Sequence, residues 1–141
     1  MRNEWSQLGS IRNLSPDWNF VELKIFSAGD KHSFVNGPFG SDLLSNELVP
    51  EGMPVIYIRD IKEGRYQRAS KVCVTEEKYS SLPACQVSYG DLLVTKVGDP
   101  PCEAAVYDSK EPGIVTQDVI RIKTNGFGFS SFLSYLLNSD I

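Results

Sequence analysis

The sequence predicts an α+β fold: a twisted, mostly antiparallel sheet with a few short flanking helices, in a single domain. Three observations carry that expectation. The 141 residues suit one domain able to bury a hydrophobic core without staples. Short β-branched and aliphatic runs recur between clusters of Gly, Pro, Asp and Ser, as strands between turns do. Those runs do not alternate with long helical periods, which a doubly wound α/β chain requires.

The elements follow in order. The first 17 residues are polar with scattered apolar positions and close on the turn Ser15-Pro16-Asp17, so residues 1–17 are a lead-in and residues 18–141 the domain. Trp18 to Phe26, WNFVELKIF, alternates imperfectly and predicts a strand. Phe34 to Gly40, FVNGPFG, is too rich in Gly and Pro for regular structure and brings backbone close to a neighbour. Ser41 to Val49 reads as a short helix or irregular turn, ended by Pro50-Glu51-Gly52. Met53 to Ile61, MPVIYIRDI, has the β-branched content of a buried strand. Gly64 and Tyr66 turn the chain toward a strand over Lys71 to Val74. Thr75 caps a short helix through Ser81, with Glu76 and Glu77 in the first turn, where the helix dipole favours acids. Gly90–Gly98 and Ala104–Tyr107 hold two strands joined by a Pro-Pro turn. Val119, Ile120 and Ile122 mark another strand. Phe129 to Asn138 predicts a helix with Phe132, Leu133, Leu136 and Leu137 on one face and Ser130 or Ser131 as its cap. The expected total is about six strands and two or three helices.

Composition removes several classes of function. Apolar residues make up 41% of the chain, ordinary for a globular protein. No run of 18 apolar residues occurs, so no membrane partner is expected, and the N-terminal MRNEWSQLGS has no apolar signal core. Cys73, Cys85 and Cys102 are odd in number and form no CxxC pair, which argues against a disulfide framework and a zinc site. A cytoplasmic location is the resulting expectation. His32 is the only histidine, so a nucleophile–His–carboxylate triad has one possible base. The formal charge is −4, against the basic surplus usual in nucleic-acid binders. The distribution is uneven, however. Arg59, Lys62, Arg65, Arg68 and Lys71 outnumber Asp60 and Glu63 by three in one segment, leaving −7 for the rest. On charge alone that segment reads as a solvated edge or loop.

Candidate chemistry is sparse. Asp99-Pro100-Pro101-Cys102 is similar to the Asp/Asn-Pro-Pro-aromatic loop of adenine amino-methyltransferases, but Cys102 cannot supply the ring that stacks on a flipped base. Gly126-Phe127-Gly128 lacks the strand–GxGxxG–helix order of a dinucleotide fold. The Pro-Pro segment then reads as a rigid turn. Asp91, beside Gly90, reads as a turn residue bonding its own backbone, and neither Asp91 nor Asp118 has a partner set by spacing. His32 reads as a surface residue. No P-loop and no HExxH is present.

A family pattern does run through the chain. NGPFGSDL (from Asn36), Gly52-Met53-Pro54-Val55-Ile56 with Arg59-Asp60-Ile61, Gly90-Asp91-Leu92-Leu93 with Thr95-Lys96-Val97-Gly98, Gln117-Asp118-Val119-Ile120-Arg121-Ile122, and FLSYLLNS (Phe132 to Ser139) stand in order. Together they resemble the target-recognition domains of Type I restriction–modification specificity subunits. Asp60 and Asp118 stand where that family more often has Asn, and Asp99 to Cys102 replaces a glycine turn. The resemblance implies a non-catalytic domain, without cofactor or metal, that reads one half of a bipartite double-stranded DNA target. It implies partners too: modification (methyltransferase) and restriction subunits, reached through a parent subunit with two such domains. The alternatives are a fragment of a DNA adenine amino-methyltransferase, resting on Asp99 to Cys102, and the recognition domain of a single-chain restriction–methylation enzyme.

The resemblance does not say which residues read bases. Base chemistry and loop position point to Lys31, Asn36, Lys62, Arg65, Arg68, Lys96 and Gln117. Among these, Arg65 at the turn is expected to read a base, and Lys62 and Arg68 to clamp phosphates.

Overall fold

A computed structural model describes residues 15–38 and 40–139. Most of the lead-in, and Phe39 of the Gly-Pro segment, lie outside the described residues. The strands in chain order are β1 Phe34–Asn36, β2 Leu48–Val49, β3 Met53–Ile56, β4 Ile61–Lys62, β5 Arg65–Tyr66, β6 Cys73–Val74, β7 Gln86–Val87, β8 Leu92–Thr95, β9 Ala104–Val106, β10 Gly113–Val115 and β11 Val119–Ile122. Helix α1 is Glu76–Ser81 and α2 is Phe127–Leu137. The fold is mixed α+β, as the sequence predicts.

Two main sheets replace the single expected one. The first has the order β1-β11-β8-β9 and is antiparallel throughout. The second has the order β2-β6-β3-β10-β7 and contains one parallel pair, β3 with β10. Strands β4 and β5 form a separate hairpin. Side chains alternate along each strand, and this sorts the core into layers. Leu92, Val94, Ala104 and Ile122 face Leu133, Phe129 and Leu137 of α2. Leu93, Ala105 and Val119 face the other way and meet Ile56, Val87 and Val115 of the second sheet. Val55, Val74 and Ile114 point to the far side, against Tyr79 and Leu82 at α1. The strands at the centre are therefore covered on both faces, which explains why LLVT and VIRI read as continuous apolar runs.

Several elements differ from expectation, each for a local reason. Trp18 to Phe26 is not a strand. Leu23–Phe26 forms a 3-10 turn, and Trp18, Phe20, Val21 and Ile25 are exposed. Ser41 to Val49 ends in a 3-10 turn, Ser45–Glu47, followed by the short strand β2. The run MPVIYIRDI breaks after Ile56, because Asp60 folds it into a 3-10 turn. One carboxylate oxygen accepts from Tyr57 N–H (2.8 Å), the other from Ala69 and Ser70 N–H (2.8 and 2.7 Å). Strand β10 was hidden in the sequence. Gly113 admits it beside β3, since a Cβ there would stand 2.8 Å from Pro54 O.

Helix α1 forms as read, with Thr75 Oγ accepting from Lys78 N–H at 3.2 Å. Helix α2 begins earlier than expected, at Phe127, and has no side-chain cap. Ser130 is instead buried and donates to Gly90 O (2.6 Å), and Ser131 donates to Phe127 O (3.0 Å). The inward face is Phe129, Ser130, Leu133, Ser134 and Leu137, while Phe132 is exposed. Small serines allow the helix to lie against β9, where Ser134 Oγ donates to Ala104 O at 3.1 Å.

Among the described residues, Arg121 is the largest fully buried side chain. On β11 it shares the parity of Val119, so it points between the two sheets. Its Nη1 and Nη2 donate to His32 O and Ala84 O, each at 2.7 Å. Its Nε has no hydrogen-bond partner and lies 3.9 Å from the Asp91 carboxylate. Asp91 also accepts from Ser88 N–H at 2.8 Å. One guanidinium thus ties together the turn before β1, the segment before β7 and the start of β8. Burial pushes the Asp91 carboxyl above its usual range, against the pull of Ser88 N–H and Arg121. Burial also lowers the Arg121 guanidinium, against the pull of Asp91.

Candidate nucleic-acid interface

Register decides which candidate residues share a surface. In the four-stranded sheet, Asn36 pairs with Ile120, and Val119 with Thr95. The end of β1, the start of β11 and the end of β8 therefore lie at one end of the sheet. Thr95 N–H donates to Glu103 O (2.9 Å), which brings the start of β9 to the same end. The β4–β5 hairpin joins them at its tip, where Glu63 N–H donates to the Glu103 carboxylate. Asn36, Gln117, Lys96, Lys62 and Arg65 are all exposed, on loops or strand ends gathered at this end.

The hairpin is placed by Tyr66, whose ring lies 4.7 Å from that of Tyr107, tilted by 56°. Burial, with Tyr107 and Asp60 nearby, pushes the Tyr66 hydroxyl well above its usual range. Ile61 pairs with Tyr66 on the inward face, so the next pair, Lys62 with Arg65, lies on the outward face. Both turn residues have positive φ, Glu63 at 53° and Gly64 at 73°, a conformation glycine takes at least cost.

The turn Thr116–Asp118 is held on every side. Thr116 N–H donates to Ile56 O (3.0 Å), and Val119 N–H to Thr116 O (3.1 Å). Lys96 reaches it twice: its N–H donates to Asp118 O at 2.9 Å and its Nζ to Gln117 O at 3.0 Å. Gly37 lies flat against the same turn, where a Cβ would stand 2.0 Å from Thr116 O. The close backbone approach expected of the Gly-Pro segment is found here. Beside it is a hollow of about 260 Å³, whose lining includes the apolar Pro38, Leu43, Leu48 and Tyr57 and the polar Ser45, Gln117 and Asp118.

Two candidates stand apart. Lys31 is exposed in the turn before β1, and since Phe34 pairs with Ile122 it lies at the opposite end of the sheet. Arg68 is engaged: Nε donates to Ser70 O (3.3 Å), Nη2 to Cys73 Sγ (3.0 Å), and Nη1 lies 3.5 Å from the Glu111 carboxylate. Arg59, of the same basic segment, donates through Nε to Ser70 Oγ (2.5 Å), with its guanidinium 4.6 Å from the centre of the Tyr57 ring. The segment is thus half internal bracing and half exposed hairpin. The sequence reading missed Tyr57 and Leu43, because an aromatic or aliphatic residue lining a shallow hollow has the same pattern as one in a core.

Asp99 to Cys102 forms the β8–β9 connection, closed by Cys102 N–H donating to Thr95 O (3.1 Å). It borders a groove of about 990 Å³ between the hairpin and α2, which also carries Glu63, Glu103 and Asp108. Among the described residues, no group of three or more His, Cys, Asp or Glu is arranged to hold a metal. Nor is any described helix long and apolar enough to cross a membrane.

No family model matches the chain. No curated protein matches it either. Among solved structures, it resembles a chain from a study of complex assembly and conformational transition in the type I R-M system, with a TM-score of 0.55 and 17% identity. The match covers 92% of this chain and 30% of that one, so this chain spans under a third of the length of its structural neighbour.

Proposed function

We propose that this chain is a DNA target-recognition domain, reading one half of a bipartite sequence for a Type I restriction–modification complex. The observation that carries the reading is the gathering of Asn36, Lys62, Arg65, Lys96 and Gln117 at one end of the sheet. Asn36, Lys62, Arg65 and Gln117 offer the amide and cationic groups that base edges and phosphates require, and the Lys96 ammonium braces the turn that carries Gln117. The motif residues beneath them, Gly37, Asp60, Asp91 and Arg121, act as frame. A fixed frame with exposed tips suits a module whose specificity differs between members. The fold likeness to a chain of a type I R-M system agrees with the same reading. In this role methylation and cleavage reside in partner subunits. Lys62 is a phosphate clamp and Arg65 a base reader, while Arg68 must release Glu111 before it can clamp a phosphate.

The test is selection from a randomised duplex library by the chain at low ionic strength, where phosphate contacts are strongest. A single contiguous block of enriched sequence is expected. No enrichment, or two blocks separated by a fixed gap, contradicts the reading.

A further inference from the structure

The surface described above contains one side chain placed to choose a particular base, and this inference rests on the DNA-recognition reading. We propose that Gln117 selects adenine at one position of the half-site, and that Lys96 is a positioning residue that fixes the backbone carrying it.

Three features lead to this. Gln117 is exposed, and its side-chain amide makes no hydrogen bond among the described residues. A primary amide presents one donor group and one acceptor side by side. In the major groove, adenine offers the complementary pair, the N6 donor and the N7 acceptor, whereas guanine offers two acceptors there. Of the bases, adenine is therefore the one this amide fits in two-point contact.

The second feature is the rigidity of the backbone that carries it. Thr116 is fixed by Ile56 O and by the face of Gly37. Gln117 O and Asp118 O are both held by Lys96. Selecting one base over another needs the backbone beneath the amide already in place, since a mobile loop can bring it to more than one edge. The Lys96 ammonium supplies this by bonding a carbonyl, not by projecting freely toward a phosphate.

The third feature is the hollow beside Gln117. The apolar Pro38, Leu43 and Tyr57 in its lining suit the C5-methyl group that thymine shows in the same groove next to its adenine partner. Amide and hollow together address both members of an A·T pair.

The test is the same duplex selection by the full chain, repeated with variants. Gln117→Ala should erase the adenine preference at one position, a change of about 5- to 150-fold, and leave the other positions as they were. Gln117→Glu, which only accepts, should move that position toward cytosine, whose N4 donates. Lys96→Met should relax the same position, and Lys96→Arg should restore it. Gln117→Ala with unchanged preferences overturns the assignment but leaves DNA recognition standing. If Lys96→Met weakens all sequences equally with preferences intact, Lys96 is a phosphate contact and the positioning role fails. If the unaltered chain selects no sequence, the recognition reading itself falls, and this assignment with it.

Discussion

Arg121 shows how a charged residue within a strand can prove internal. In the sequence it sits within VIRI at a position where a strand would show a polar side chain to solvent. In the structure it is fully buried and donates to His32 O and Ala84 O. Nothing in the spacing marks this, because its partners are main-chain carbonyls 89 and 37 residues away. Asp91 was more legible: its bond to Ser88 N–H is the local turn contact that a Gly-Asp pair suggests. Arg121→Met should destabilise the fold by about 3–5 kcal/mol, since it leaves Asp91 buried and uncompensated. Urea unfolding would measure this, and a loss below about 1 kcal/mol would show that the buried guanidinium is dispensable. The pH dependence has a defined sign. The folded carboxyl of Asp91 is raised above an unfolded value of about 3.9. Between those two pKa values the folded state binds more protons, so Asp91 makes stability fall as pH rises through the window. The stability of the native sequence minus that of Asp91→Asn should therefore decline from about pH 4 upward and level off above the folded pKa. A difference that grows with pH would mean that the Arg121 charge outweighs burial. Gly37→Ala should cost at least about 1–3 kcal/mol, because its Cβ meets backbone and no rotamer can relieve it. A melting temperature unchanged by Gly37→Ala would show that the turn yields.

At the scale of elements, strands were legible where apolar runs were long enough, as in β8 and β11. Several strands of two or three residues were hidden, as in β2, β7 and β10, although the equally short β6 and β9 were read. Trp18 to Phe26 misled because its alternation matches a strand, while no partner strand lies beside it among the described residues. Helix α2 was found but rotated: its buried face contains Ser130 and Ser134, which no hydrophobic pattern selects. The β4–β5 hairpin shows where propensity stops and packing begins. Two residues per strand cannot hold a hairpin in water, so its position depends on Ile61 and Tyr66 against the first sheet. Its exposed pair, Lys62 and Arg65, gives two separable outcomes in a binding assay. Lys62→Ala should weaken all duplexes alike and reduce the salt slope by about 0.9. Arg65→Ala should cost about 1–3 kcal/mol at one base pair and relax choice there. If both leave affinity, salt slope and base preference unchanged, the hairpin is a solvated edge.

For the whole molecule, the layered order of α2, two sheets and α1 was not readable, because layer assignment depends on pairings far apart in the chain. The α+β class was readable, since it needs only the succession of short apolar runs and turns. The candidate surface was half legible. Residue chemistry named the exposed amides and cations, but only register showed that five of the seven share one end and that Lys31 lies at the other, and only its contacts showed that Arg68 is engaged. The acidic total charge is compatible with the recognition reading only if DNA is met through a small local patch. The recognition reading also predicts that calorimetric titration of the chain with S-adenosylmethionine gives no saturable heat; a saturable heat would move the account toward a methyltransferase fragment. The central claim is that this one domain specifies one half of a bipartite target. It is tested most directly by grafting the domain into a two-domain Type I specificity subunit and sequencing the methylome of cells that carry it. The account predicts one altered half-site beside one unchanged half-site. Two altered half-sites, or an active complex with neither altered, would contradict it.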